Sequence, residues 1–278
     1  MDFSFTIAGL IVGTLIGATG VGGGSIMTPI LVMVFGVPAS AAVGTDLLFA
    51  ALTKGVGTGL HGLNRSISWK IVARLASGSI PAALIMLWLL NNVIDQEKLS
   101  GLITLSLGVA LVMTSLAIVF QPQLRKWFGK GDDAERPGNS LNPDHEERLL
   151  REESACESRV DSARLTVLTG AVLGTLVSLT SVGAGALGVM VLMTLYPQVR
   201  AVRVVGTDIA HAVPLTLVAG LGHASMGTVN YDILGSLLLG SLPGIALGSH
   251  IAFRLPEKVM KRILAVILIC VGGRLIFV

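Results

Sequence analysis

Two four-residue stretches, Val43-Gly44-Thr45-Asp46 and Val205-Gly206-Thr207-Asp208, each put an aspartate about seven residues inside a strongly apolar segment. An ionised carboxylate at that depth is costly and faces a bundle interior or an aqueous path, so Asp46 and Asp208 are candidate proton carriers or gates. The structural alternative is that each carboxylate caps backbone amides and holds a turn in place. Thr45 and Thr207 can contact a ligand or bond back to their own helices. Two further ionisable residues lack a counterpart. Lys54 follows Asp46 by eight residues, on about the same helix face, and can attract an anion or pair with that aspartate. His211 follows Asp208 by three and would neighbour it, as a proton relay or as a hydrogen-bonded structural histidine. His61 and His223 fall near segment ends and read as structural.

A second repeated pattern is rich in glycine. Gly17-Ala18-Thr19-Gly20-Val21-Gly22-Gly23-Gly24-Ser25 recurs, altered, as Ser178-Leu179-Thr180-Ser181-Val182-Gly183-Ala184-Gly185-Ala186. Each copy interrupts an apolar segment, and a returning helix is expected to begin near Ser25 or Ala186. The free amides and positive dipole end of such a helix suit an anion, and glycine lets the backbone come close to it. Thr19, Gly20, Gly22, Gly23, Gly24, Ser25, Thr180, Ser181, Gly183 and Gly185 are therefore the candidate binding residues, with Thr45 and Thr207 beside them. Small residues also permit close helix packing in membranes, which is the competing explanation.

These motifs belong to a larger duplication. Gly78-Ser79-Ile80-Pro81 returns as Gly240-Ser241-Leu242-Pro243, and the offset is 161 residues at the glycine motif and 162 elsewhere. The chain is expected to comprise one membrane repeat over residues 1–120, a polar linker over 121–163 and a second repeat over 164–278. With 52% hydrophobic and 13% charged residues it reads as an all-α integral membrane protein. The linker alone holds ten of the seventeen acidic residues, so the basic balance elsewhere fits membrane loops rather than nucleic acid. Cys156 and Cys270 have no metal-ligand or redox spacing, and no cofactor motif or nucleophile set points to an enzyme.

Within each repeat the apolar pattern predicts a broken segment (5–36 and 165–196) followed by three crossings. These lie at about 39–62, 69–90 and 99–120, then 201–224, 232–253 and 258–277. The arms of a broken segment, about 12 residues or about 18 Å each, are too short for a hydrocarbon core of about 30 Å. A re-entrant hairpin is the expected form. A surface helix is expected over about 143–160, where Asn142-Pro143-Asp144 resembles a helix start.

Equivalent loops differ in charge. Arg65, Lys70 and Arg74 gather around the loop between the first two full crossings, whereas Ser225 to Asp232 has no Lys or Arg. The reverse holds for Arg200 and Arg203, and for Arg254, Lys258, Lys261 and Arg262, against their counterparts. The positive-inside rule then predicts two inverted repeats, each a re-entrant broken-helix hairpin plus three transmembrane helices, with the linker in the cytoplasm. Eight simple spans in two parallel units is the competing parse.

The glycine-rich broken segment, Val-Gly-Thr-Asp and Gly-Ser-x-Pro, all duplicated, resemble the TauE/SafE family of sulfite and organosulfur-anion permeases. The first copy is close, while Ala184 departs from the glycine pattern in the second. The resemblance implies secondary transport of small sulfur-containing anions such as sulfite or sulfonates across the cytoplasmic (inner) membrane, with protons as the coupling ion. An anion channel, or a permease for another small anion, is the alternative reading.

Overall fold

The computed structural model describes residues 3–19, 24–63, 67–93, 96–128, 160–183, 185–197, 199, 201–251 and 257–276. Among them it has ten helices and no strand. In the first repeat these are α1 (Phe3–Thr19), α2 (Gly24–Met33), α3 (Ala39–Leu63), α4 (Trp69–Asn92) and α5 (Gln96–Phe128). The second has α6 (Val160–Thr180), α7 (Ala186–Leu195), α8 (Ala201–Ser225), α9 (Tyr231–Ile251) and α10 (Glu257–Ile276). The expected surface helix over 143–159 lies outside the described residues.

Five helices contain stretches long and apolar enough to cross a membrane: Trp69–Asn92, Ser100–Phe120, Ala163–Thr180, Arg203–Ser225 and Tyr231–Gly248. Leu84, Ile85 and Trp88 of α4, and Leu239 and Leu242 of α9, are exposed, while Thr45, Asp46, Thr207, Asp208 and His211 are buried. Apolar side chains outward and polar ones inward is the arrangement lipid demands, since a polar group facing hydrocarbon has no partner. The chain is an integral, multi-pass membrane protein.

Packing between the two repeats follows an exchange rule. Helix α1 packs on α9 and its equivalent α6 packs on α4, while α3 pairs with α8 and α5 with α10. The first two interfaces are close because both faces carry glycine. A Cβ at Gly9 or Gly13 would strike the backbone of Leu237 or Ser241, and one at Gly240 or Gly248 would strike Thr6 or Thr14. Across α4 and α6 the same is true of Gly78 against Val167, and of Gly170 and Gly174 against Leu75 and Ser79. These registers advance together, so α1 runs parallel to α9 and α4 to α6. By contrast Gly44 lies at His223 and Gly220 at Leu48, and Gly108 lies at Gly272 while Ser115 Oγ donates to the Ala265 carbonyl at 2.8 Å. Thus α3 and its own equivalent α8 are antiparallel, as are α5 and α10. That order disagrees with eight spans in two parallel units, which would set equivalent helices parallel.

Both broken segments are hairpins closed at the base. The rings of Phe5, early in α1, and Phe35, just after α2, have centroids 4.5 Å apart. At the equivalent positions of the second copy, Thr166 and Tyr196 share a hydrogen bond of 2.7 Å. One closure is aromatic and the other polar, at the same place. The arms differ from the expected equal pair. From Phe5 to Thr19 and from Thr166 to Thr180 the outgoing arms are about 22 Å long, whereas α2 and α7 have ten residues each, or about 15 Å. The expectation of arms near 12 residues is corrected because the outgoing helix continues to the tip itself, and α6 also begins before the hairpin base.

Candidate functional site

The second hairpin tip is the better described of the two, and its backbone explains its composition. Ser181, Gly183 and Gly185 have φ of 58°, 126° and 137°. Their counterparts in the first copy are Gly20, Gly22 and Gly24, so the alternating glycines mark the positions whose backbone is left-handed in the second tip. Thr180 stitches this turn from within. Its hydroxyl donates to the Leu176 carbonyl at 2.7 Å and accepts from the Val182 amide at 3.1 Å. Thr180 therefore shapes the tip. The backbone of Gly20, Gly22 and Gly23 lies outside the described residues, as do the side chains of Thr19 and Ser25 and the surroundings of Gly24.

Each aspartate sits against the short helix of its own hairpin, Asp46 at Thr28 in the second turn of α2 and Asp208 at Gly188 in the first turn of α7. Thr28 of α2 donates from its hydroxyl to Asp46 Oδ2 at 2.5 Å. Asp208 lies so close to Gly188 of α7 that a Cβ there would land on its carboxylate. Helix N-termini favour negative charge, which accounts for the placement of Asp208. The amide-capping role expected as the structural alternative is not seen for Asp208, whose two oxygens have no hydrogen-bond partner among the described residues. Asp46 Oδ1 is likewise unpartnered there, and Ser181 Oγ stands nearby without a formed bond.

Lys54, from α3, links the two halves. It lies within electrostatic reach of Asp208 and Asp46, and His211 feels its charge in turn. Relative exposures are 0% for Asp46 and His211, 1% for Asp208 and 9% for Lys54, so four ionisable side chains share one dry region. The ring Nε2 of His211 is 2.8 Å from Ser79 Oγ, the serine of Gly-Ser-x-Pro.

Thr45 and Thr207 act as matched clamps between repeats. Thr45 Oγ1 accepts from the Asn230 amide at 3.0 Å, just before α9. Thr207 Oγ1 accepts from the Ser68 amide at 2.9 Å, just before α4, while donating back to the Arg203 carbonyl at 2.6 Å. Each uses the hydroxyl to satisfy an amide at the start of the other repeat's fourth helix, where no intrahelical acceptor exists. His223 is structural as expected but is buried: Nε2 lies 2.9 Å from the Ser178 carbonyl and Nδ1 3.0 Å from Thr228 Oγ1. Its equivalent, His61, has no described side chain.

Two members of the site were missed by sequence reasoning. Ser79 could have been found, since its motif repeats. Thr28 could not, because Val189 or Met190 stands opposite it and nothing repeats. A groove of about 350 Å³ between α5 and α7 is lined by Met113, Leu116, Ala117, Phe120, Leu187 and Met190, with no polar side chain to recognise an anion. Among the described residues no cluster of His, Cys, Asp and Glu is arranged to hold a metal.

Comparison with known proteins agrees with this architecture. "Probable membrane transporter protein YjnA" of Bacillus subtilis (strain 168) is 35% identical over 99% of this chain and 100% of its own length. "Probable membrane transporter protein MJ0441" of Methanocaldococcus jannaschii is 24% identical, covering 96% of this chain and 91% of the relative. "Probable membrane transporter protein YdhB" of Bacillus subtilis (strain 168) is 23% identical, with 90% of each chain covered. No solved structure matches significantly. The family described as "Sulfite exporter TauE/SafE" matches residues 5–275. With its buried charges, its duplicated hairpins and that match along nearly its whole length, the chain belongs to the TauE/SafE sulfite exporter family and is a membrane transporter, not an enzyme.

Proposed function

We infer that this protein is a secondary active transporter of small sulfur-containing anions such as sulfite or sulfonates across the cytoplasmic membrane, coupled to protons. One observation carries the reading: Asp46 and Asp208 are buried within electrostatic reach of the buried Lys54, with Asp208 against the first turn of α7. A helix start and a lysine supply positive potential for an anion, and two intramembrane carboxylates supply a place for a proton. Purified protein in liposomes should take up sulfite or methanesulfonate against its gradient when the outside is made acidic, and should not do so when the pH is equal on both sides. Currents far above carrier rates, with no response to the pH gradient, would replace this reading by a channel.

Alternating access in this reading rests on inverted repeats with re-entrant hairpins. Three features support it: hairpins closed at their bases, antiparallel packing of α3 with α8, and the reversed charge of equivalent loops. Sidedness is measurable with an impermeant thiol reagent in a background lacking Cys156 and Cys270. Exposed positions serve best, because Ser68 and Val199 are buried and would resist labelling on either side. Cysteines at Asn92 and Ser225 should be labelled from outside, and cysteines at Lys70 and Arg164 only after permeabilisation. External labelling at Lys70 or Arg164 in intact cells would end the inverted arrangement.

A further inference from the structure

We propose that Lys54 is the cation that receives the transported anion, that Asp208 and Asp46 are its built-in competitors, and that each monovalent anion therefore binds together with one proton. This rests on the transport reading above and adds its charge selectivity. The argument begins with a charge count. Two carboxylates and one ammonium, all buried and with both carboxylates acting on Lys54, carry a net charge of −1 between them. Adding a monoanion alone makes the region −2 in a medium that screens charge poorly. Adding a monoanion and a proton leaves it at −1. A dianion such as sulfate would need two protons for the same result.

Unpartnered polar atoms show where this exchange would occur. Asp208 Oδ1 and Oδ2, Asp46 Oδ1, Ser181 Oγ and His211 Nδ1 are all buried without a hydrogen-bond partner among the described residues. Buried polar groups in folded proteins are nearly always paired, so five such atoms on Asp46, Asp208, His211 and Ser181, the first three within electrostatic reach of Lys54, mark a place built to hold something. Asp208 is moreover pressed against the first turn of α7 at Gly188, where an anion would itself be drawn. A proton from water on a carboxylate oxygen of Asp208 removes the rival charge from both Lys54 and the helix start. It also turns an acceptor into a donor for an anion oxygen. Ser181 supplies a second hydroxyl, at the tip. The asymmetry of the two repeats fits this, since Thr216 stands at the position equivalent to Lys54 and one cation serves both halves.

The test is calorimetric titration of the full-length purified protein with methanesulfonate, a permanent monoanion, and with sulfate, in buffers of different ionisation enthalpy. Wild type should take up about one proton per methanesulfonate and bind sulfate much more weakly. Lys54→Gln should lose roughly 100-fold or more in affinity and Lys54→Arg far less, as expected when one partner of a buried charge pair is removed or replaced. Because Lys54→Gln leaves two carboxylates unbalanced, Lys54→Gln with Asp208→Asn is the companion variant. It keeps the net charge at −1 and should fold yet still not bind. Methanesulfonate binding by that double variant at wild-type affinity, or binding to wild type with no proton uptake, would overturn the proposal and leave anion transport standing. Failure of wild type to bind methanesulfonate, sulfite or sulfate would overturn both.

Discussion

In Asp208→Asn, uptake driven by an imposed pH gradient should collapse to simple equilibration, while exchange of labelled for unlabelled substrate continues. Asparagine keeps the size of the side chain and its contact with the α7 start, but it cannot release and rebind a proton. For one proton per anion, a gradient of one pH unit is worth about tenfold in accumulation, so the loss is easily read in proteoliposomes. Acidifying the outside drives inward movement of the protonated, loaded form, and the sign reverses when the inside is the acidic side. Asp46→Asn is the matched variant. Its milder expected effect follows from Thr28, which already holds one oxygen of Asp46, whereas neither oxygen of Asp208 has a partner among the described residues. Normal pH-driven accumulation in both asparagine variants would remove the proton from these residues and leave them as scaffolding.

Gly188→Ala should lower transport at least tenfold in a protein that remains as stable as wild type. The helix itself gains from the change, by up to about 1 kcal/mol. The new Cβ falls on the Asp208 carboxylate, which must swing off the first turn of α7. Gly183→Ala separates this from a general intolerance of the tip. Its Cβ meets Val177 Cγ2 at 3.5 Å and methyls of Leu173 and Leu187 at 3.9 Å, ordinary contacts, but φ there is 126°, so the cost is backbone strain of about 1–3 kcal/mol. Thermal unfolding should fall in Gly183→Ala, and not in Gly188→Ala. Full flux in Gly188→Ala would show that the seat of Asp208 on α7 does not matter to transport.

The chain alone determined that its motifs recur, that it lives in a membrane and roughly where its long helices lie. Those properties are local: an apolar run of sufficient length becomes a helix in lipid whatever it packs against, and a cluster such as Gly20 to Gly24 stops it. The expected crossing over 201–224 is α8, Ala201–Ser225, and the expected break before Ala186 is where α7 starts. The hairpin arms were misjudged because sequence shows where glycines are and not which of them leaves the helix. Here α6 runs intact through Gly170 and Gly174, whose missing side chains let it lie on α4, and ends only at Thr180.

Partners were decided by the tertiary structure. Nothing local distinguishes a threonine that binds a ligand from one that clamps an amide, yet Thr45 and Thr207 meet the amides of Asn230 and Ser68 because each repeat's third helix packs beside the other repeat's fourth. His211 finds Ser79 across 132 residues for the same reason. Lys54 was visible as an asymmetry eight residues from Asp46. Its reach to Asp208, in the other repeat, exists only because α3 and α8 lie antiparallel and close, at Gly44 and Gly220, whose missing side chains let His223 and Leu48 approach. Charge neutrality in a buried region is set by which faces meet, and that is a property of the packed pair of repeats and of neither one alone.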